Sequence, residues 1–529
     1  MYFDATWLTL LLIFVGFYYL FLFFIALSVK DEGKEPDKSY FYFLIIPARN
    51  EEKVIENTIN GCLKIKGDNF RTIVVNDNST DSTPKIVDRL SKQNEKVILL
   101  DNPPQHAYKG KGAVLNYAFE QINLAINYNF TNPLNLSPDF LEKFDESHII
   151  IGVFDADAIP NEDILEVVSS IFSAKELDAV QTAVRISNKN QSMLAKMQDI
   201  EFLGFSRIIQ KARSKFGSVG LGGNGQFTKL SSLKKIRGKP WGDTLTEDFE
   251  LGLRFISHGM RLGFTDKVIV EQEGVVSLIA LLKQRTRWLQ GHFINWKYIP
   301  SIIKSHSSIL TKIDTLIYIV FVSVVFLVGL SLAVSLLSIA KYLYVSNQML
   351  EIFYNKSYLL GIFALLCYSF AFIPLFIYSV FKFYREQGLL KKLLYIFLFA
   401  IYTYIWLPAG IAALYRIILK KSEWLPTKRV AIERGIGNYV LQENNMVFQE
   451  RRRLPRLAFR AFALIQHSPC FIVDINELGA GVIMPKTSHI SDRYVELDIP
   501  VFGNKKGNIV WKKEMGDLVR AGVEFAPSS

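Results

Sequence analysis

The sequence predicts an α/β domain with a Rossmann-like mixed sheet, set among membrane helices and followed by a small β-barrel. Three observations predict it. Half of the 529 residues are hydrophobic and only 21% are charged, too apolar for an ordinary soluble enzyme of this length and far from a disordered or fibrous chain. Short apolar runs (FYFLIIP, TIVVN, KVILL, HIIIGVFD) alternate with amphipathic stretches over residues 30–310, the pattern of βαβ units around a parallel sheet. The last hundred residues (CFIVDI, GAGVIM, YVELDIP, GNIVWKK, RAGVEF) read as short strands broken by Gly, Pro and Asn, a small barrel or sandwich.

Taken in order, residues 6–28 carry no charge and are long enough to cross about 30 Å of hydrocarbon as a helix. The run is too long for a signal-peptide core and has no basic flank before it. Further apolar runs lie at about 315–340, 359–381 and 393–416. Lys30, Lys34 and Lys38 follow the first run and none precedes it, so the α/β domain is expected inside the cell. Lys382, Arg385, Lys391 and Lys392 place the loop before the last run inside, and so do Arg416, Lys420, Lys421, Lys428 and Arg429 after it. Three simple crossings would leave the C-terminus outside. Either 393–416 is a hairpin broken at Pro408, or one run lies in the interface. Cys62, Cys367 and Cys470 stand far apart with no CxxC, against a disulfide framework or a thiolate zinc site. The net charge of +11 suits nucleic acid, anionic lipid, or basic residues held at the cytoplasmic face.

Five acidic and basic signatures carry chemistry. Asp155 and Asp157 close an apolar strand in FDAD, and carboxylates two apart after a strand can both reach one hard cation. Asp77 and Asp81 end another strand in NDNSTD, where carboxylates suit a base or ribose, although turn and helix-cap chemistry uses the same residues. Lys109 and Lys111 lie in the glycine-containing YKGKGAVLN, which can approach phosphates or be a surface loop. Glu247 and Asp248 open a helix-like run, as a general base or as ordinary first-turn acids. Gln284, Arg287 and Trp288 in QRTRW offer a diphosphate fork and a stacking face, or a membrane-surface helix.

As an ordered set, PARNEE (47–52), NDNSTD (76–81), KGAVLN (111–116), FDAD (154–157), GGNGQF (222–227), LTED (245–248) and QRTRW (284–288) resemble the membrane-integrated family-2 glycosyltransferases. That group includes cellulose, hyaluronan, chitin and poly-N-acetylglucosamine synthases. A WxxTxR follows as Trp424, Thr427 and Arg429. The resemblance covers about residues 1–430. It implies a GT-A fold that binds a UDP-sugar with Mg²⁺ or Mn²⁺ on Asp155 and Asp157. Asp77 would meet the uridine and Lys111 the diphosphate. Asp248 would be the catalytic base with Glu247 beside it. Gln284, Arg287 and Trp288 would grip diphosphate and acceptor, with Gly223 and Asn224 at the acceptor. Trp424, Thr427 and Arg429 would close over bound nucleotide. Asn76 departs from the paired aspartates usual at that position.

The C-terminal segment resembles a PilZ domain over about 448–527. Arg452 and Arg456 form RxxxR, and Asp474, Asn476 and Gly479 form the following turn, with Asn476 where Ser is usual. This implies cyclic di-GMP as an activator and a bacterial host. The arginines equally suit a juxtamembrane lipid patch.

The expected organisation is a membrane helix (1–29), the GT-A domain (30–273), interface helices (274–310), a channel region (311–420), a gating segment and linker (421–447) and the PilZ-like barrel (448–529). The expected activity is processive, inverting transfer from a UDP-sugar, UDP-glucose first, into a cellulose-like or mixed-linkage β-glucan extruded across the plasma (inner) membrane. An amino-sugar polymer from UDP-N-acetylglucosamine and single-sugar transfer to a lipid phosphate are the alternatives. Expected partners are the growing polysaccharide, cyclic di-GMP, membrane lipids and an export subunit, and no nucleic acid.

Overall fold

The structure, a computed structural model, describes residues 6–29, 39–104, 107, 109–127, 134, 136, 144–320, 326, 373–420 and, in the C-terminal domain, 457–466, 468–476, 479–485, 494–499, 503–515 and 518–525. The expected runs at 315–340 and 359–381 therefore lie largely outside the described residues, as do Trp424, Thr427, Arg429, Arg452 and Arg456.

The α/β domain is built on an eight-stranded sheet in the order β3-β2-β1-β4-β7-β6-β8-β5. Its strands are β1 (Phe41–Ala48), β2 (Phe70–Asn76), β3 (Val97–Asp101), β4 (Ile149–Val153), β5 (Ile159–Pro160), β6 (Ala179–Ile186), β7 (Gln226–Lys229) and β8 (Leu262–Gln272). β3, β2, β1 and β4 are parallel. β7 runs antiparallel to both β4 and β6, so the sheet is mixed, as expected, although the alternating pattern of runs by itself gives only its parallel part. β1 is almost wholly buried, which is why FYFLIIPA reads as a continuous apolar run rather than an alternation. Apolar clusters cover both faces, one around Phe43, Ile45, Leu115 and Phe255, the other around Leu44, Ile46, Ile59 and Val168.

Chain order reverses around β1, whose neighbours are β2 and β4. A crevice opens outside the carboxyl ends of such strands. Asp77 follows β2 directly and Asp155 stands two residues beyond β4, so both reach this crevice.

Residues 6–28 form one helix. Leu389–Ile418 is a continuous 30-residue helical run, and among the described residues it is the helix long and apolar enough to cross a membrane. This corrects the hairpin alternative: the run passes through a short 3-10 turn, Thr403–Ile405, without reversing. Pro408 falls in the first turn of Trp406–Ile418, where its missing N–H costs little. Exposed Phe14, Phe17, Phe21 and Phe24 share one side of the first helix at three- and four-residue spacing.

The C-terminal strands close into a six-stranded barrel, β10-β11-β14-β13-β12-β9, antiparallel throughout. They are β9 (Leu457–Ile465), β10 (Ser468–Asn476), β11 (Gly479–Pro485), β12 (Tyr494–Ile499), β13 (Gly503–Met515) and β14 (Leu518–Phe525). Ile465, Ile472, Val482, Leu497 and Val523 fill it.

At the centre of the large sheet Gly152 pairs with Leu44 on one side and Phe227 on the other. A Cβ there would stand 2.8 Å from Leu44 Cδ2 and 3.0 Å from the Phe227 ring. Gly152→Val is expected to destabilise the domain by about 1–3 kcal/mol through overpacking. Thermal melts of the full-length protein in detergent check this, and an unchanged Tm contradicts it.

Candidate active site

The crevice deepens into one cavity of about 470 Å³ that runs from the strand ends to the apolar helices. Asp77, Lys111, Asp155, Gly223, Asn224, Glu247, Asp248, Gln284, Arg287 and Trp288 all line it. Asp157 does not: it is buried beside the cavity, and its Oδ2 accepts the Glu273 N–H at 2.9 Å. Lys109 is exposed outside the cavity.

Lys111, the first residue of the helix Lys111–Asn127, is the hub. Its Nζ lies 2.5 Å from Asp155 Oδ1, 2.9 Å from the Gly223 carbonyl and 3.8 Å from Glu247 Oε1. Burial works to lower Lys111, but Asp155, Glu247 and Asp248 outweigh it and hold the ammonium above its usual range. The glycine loop makes this approach possible. A Cβ on Gly223 would stand 2.5 Å from Lys111 Nζ and 3.1 Å from Asp248 Oδ2. Gly225 takes φ +71, and its missing Cβ would overlap Thr182 Oγ1. Gln181 clamps this loop, accepting from Gly222 N at 2.8 Å and donating to Asn224 O at 2.7 Å.

Glu247 and Asp248 open the helix Glu247–Ser257. Asp248 Oδ1 accepts the N–H of Phe249 at 2.7 Å. Burial raises Asp248 above the ordinary carboxylate range, against the pull of Lys111. Burial and the Asp248 carboxylate raise Glu247 from 4.5 to about 7. The helix is docked at its start on the QRTRW helix, Leu278–Ile294, with Thr246 against Gly291, where any Cβ would overlap Thr246.

At the strand end Asp77 Oδ1 accepts from Asn102 Nδ2 at 2.7 Å. Asn76 faces elsewhere: its Nδ2 donates to Asp101 Oδ1 at 2.9 Å, and its Oδ1 accepts from Ser79 N. A carboxylate here would oppose Asp101, so Asn76 joins two strand ends and leaves Asp77 as the acid in the cavity. Asp81 serves the turn, accepting from Glu52 N and Thr83 N.

Sequence reasoning passed over Arg285, although it stands inside QRTRW. It is fully buried, pairs with Glu201, donates to Tyr402 Oη at 3.0 Å, and lays its guanidinium 4.0 Å from the Trp288 ring centroid. It thereby fixes the Trp288 face that lines the cavity.

Residues 39–291 match the family model described as Glycosyltransferase like family 2. This segment is a family-2 glycosyltransferase domain. Its mixed sheet is the GT-A arrangement the motifs imply. The chain is 31% identical over 264 residues to a beta-monoglucosyldiacylglycerol synthase of Synechocystis sp., a match covering 48% of this chain and 49% of that protein. It is 25% identical over 249 residues to a poly-beta-1,6-N-acetyl-D-glucosamine synthase of Staphylococcus aureus, covering 47% and 53%. The matched segment spans about half the length of these curated relatives. Among solved structures, the mannosyltransferase PcManGT of Pyrobaculum calidifontis, in complex with GDP-Man and Mn²⁺, is 15% identical with a TM-score of 0.46, covering 78% of this chain and 99% of that one.

Because the folded-state pKa of Glu247 is raised, its protonated form contributes stability that is complete below about 4.5 and is lost as pH rises through about 7. Glu247→Gln should flatten the dependence of Tm on pH across that window. A variant that keeps the wild-type slope would assign the titration to another group.

Proposed function

We propose that the chain is a processive, inverting β-glycosyltransferase that builds a glycan from a UDP-sugar and passes it across a membrane. The observation that carries this reading is the convergence of Asp155, Lys111, Glu247, Asp248, Arg287 and Trp288 on one cavity that continues to the apolar helices. The donor's uracil meets Asp77, and its diphosphate meets Lys111, Arg287 and Gln284. Among the described residues no three His, Cys, Asp or Glu side chains group to hold a metal. Mg²⁺ or Mn²⁺ needs no such cage, because one or two carboxylates plus diphosphate oxygens suffice. Asp155 fits as that carboxylate, with Asp157 one residue removed behind it. When bound, the cation neutralises charge on the departing diphosphate.

The acceptor hydroxyl lies on Trp288 and gives its proton to Asp248 as its oxygen bonds to the anomeric carbon. The bond from that carbon to the diphosphate oxygen breaks, UDP leaves, and one displacement turns an α-linked donor into a β-linkage. A base whose pKa is raised by burial accepts that proton more readily than an exposed aspartate. Glu247, raised to about 7, holds a proton more readily than an ordinary glutamate and so lessens the negative charge beside Asp248. UDP-glucose and a β-glucan are the first donor and product, with UDP-N-acetylglucosamine next.

The exposed apolar faces of the first helix and of Leu389–Ile418 support a place in the bacterial plasma membrane, with both folded domains in the cytoplasm. A lipid acceptor is the second reading, favoured by Tyr19, Phe205 and Phe399, which line the far end of the cavity.

Cyclic di-GMP is the proposed activator. In sequence RxxxR (Arg452 to Arg456) directly precedes Leu457, the first residue of the closed barrel, and Leu457 pairs with Ile475, between Asp474 and Asn476. Asn476 pairs with Gly479.

UDP release from purified protein in nanodiscs, with each donor, Mg²⁺ or Mn²⁺, and with or without cyclic di-GMP, tests the whole. Release from UDP-glucose that rises with cyclic di-GMP and yields a glucanase-sensitive polymer is expected. Replacing Arg452 and Arg456 together with Ala should remove the rise. Asp248→Asn should lower transfer by about 10²–10⁴-fold while UDP still binds; full turnover in that variant means another residue is the base.

A further inference from the structure

Beyond Asp248 the cavity contains polar groups that glycosyl transfer as described above leaves unused. Arg213 Nη1 and His292 Nδ1 are both buried, and among the described residues neither atom has a hydrogen-bond partner. Both side chains line the cavity that holds Asp248. They meet at one ring: the Arg213 guanidinium lies 3.8 Å from the Tyr318 centroid, and the His292 ring stands edge-on to Tyr318 at 5.9 Å. On its other side His292 stacks on Phe249, the residue after Asp248, at 4.3 Å and 35°.

The charge of this pocket is already balanced. Arg213, 2% exposed, donates from Nε to Asp314 Oδ2 at 2.8 Å, and Asp314 also accepts from Tyr18 Oη. Burial and the neighbouring guanidinium lower His292 to about 4, so the imidazole is neutral at neutral pH. An anionic ligand at Arg213 would therefore compete with Asp314 for a guanidinium that Asp314 already neutralises. An aliphatic ligand would leave both nitrogens buried without partners, which is unfavourable. An uncharged polyol meets every demand: its oxygens accept from Arg213 Nη1 and exchange a bond with His292 Nδ1, and its C–H face lies on the aromatic rings.

The placement along the helix agrees. His292 follows Trp288 by four residues in Leu278–Ile294. Residues so spaced share a helix face and stand about 6 Å apart along the axis, a separation on the scale of one sugar ring. We infer that Arg213, His292 and Tyr318 form a subsite for an uncharged sugar ring of the acceptor, one helical turn beyond Trp288. Only the word acceptor rests on the transfer reading; the preference for a neutral polyol rests on the pocket itself.

Equilibrium binding of radiolabelled cellotetraose, and of the glucuronate oligomer of equal length, to the full-length protein in nanodiscs tests this. Wild type should bind the neutral oligosaccharide and prefer it to the uronate. His292→Phe keeps the stack on Phe249 and removes the nitrogen; it should weaken binding about tenfold, the effect of one neutral hydrogen bond. His292→Asn should recover most of the loss. The paired change Arg213→Met with Asp314→Leu removes the other donor without leaving a lone buried carboxylate, and should weaken binding similarly. UDP affinity in the same samples reports that the nucleotide half is folded. The subsite is overturned if wild type takes no neutral oligosaccharide, if it prefers the uronate, or if both His292→Phe and the paired change bind as wild type. Transfer onto a lipid hydroxyl without oligosaccharide binding also overturns it. Failure of the transfer reading shows separately, as UDP release that survives Asp248→Asn.

Discussion

Three carboxylates share one ammonium, and the site depends on that arrangement. Asp155 comes from the end of β4, while Glu247 and Asp248 come from a helix nearly a hundred residues later. Drawn together in a buried crevice, they would repel one another and raise one another's pKa. Lys111 enters between them from the start of its own helix, in contact with Asp155 and close to Glu247. Its reach requires Gly223 to have no side chain, and Gly223 keeps its place because Gln181 grips the loop on both sides. The constraint therefore runs from a sheet residue, through a glycine loop, to an ammonium and then to Asp248. Any anion drawn to that ammonium would also shift the protonation of Asp248, because Lys111 and Asp248 are electrostatically linked.

A second regularity joins the catalytic domain to the apolar helices. Arg185 pairs with Asp199, and Asp199 also accepts from Tyr384. Arg285 pairs with Glu201, which also accepts from Tyr402. Arg213 pairs with Asp314, which also accepts from Tyr18. In each case an Arg pairs with a buried carboxylate that also takes a phenol from an apolar helix or from the residue just after one. Such pairs add little net stability, because desolvation offsets attraction, but removing one partner is costly. They act as locators. A helix sliding along an apolar face loses little, whereas a phenol that misses its carboxylate leaves a buried oxygen unpaired. Glu201 ends one α-helical stretch just before the π-helix Phe202–Ile209, and Tyr402 ends another just before a 3-10 turn. This locator thus sits where two helices change pitch, and its Glu201 lines the cavity.

Much of this was legible in the sequence. Strand ends followed by carboxylates, as in FDAD and NDNSTD, locate a crevice before any coordinates are known, because buried parallel strands read as apolar runs and their exits carry the chemistry. The Gly-rich loop and the two later motifs follow from residue type and order. What stayed hidden depends on side-chain direction. Asp157 matches a two-ligand spacing, yet its carboxylate turns to Glu273 N–H, because the chain bends between the two aspartates. Asn76 reads as a degraded ligand and proves to be a neutral link beside Asp101, where a second acid would be repelled. The reversal of β7 is invisible to periodicity, since the strand is only the four residues QFTK, too short and too polar to show a pattern.

Arg213 and His292 show the remaining limit most clearly. Neither belongs to a motif, and each has an ordinary surface explanation when read alone: a basic residue near a helix end, and a histidine four residues past QRTRW. Their significance arises only when three separate segments converge on Tyr318. A cavity meant for aliphatic chains has no use for unpaired nitrogens, since every one left dry opposes binding. A subsite meant for an anion has no reason to bring an aspartate behind Arg213. The pocket beyond Asp248 contains both features together with two aromatic faces, so its chemistry is that of a neutral, hydroxyl-rich ring. That chemistry favours a glycan over a lipid at the acceptor side of the base, on grounds independent of any motif.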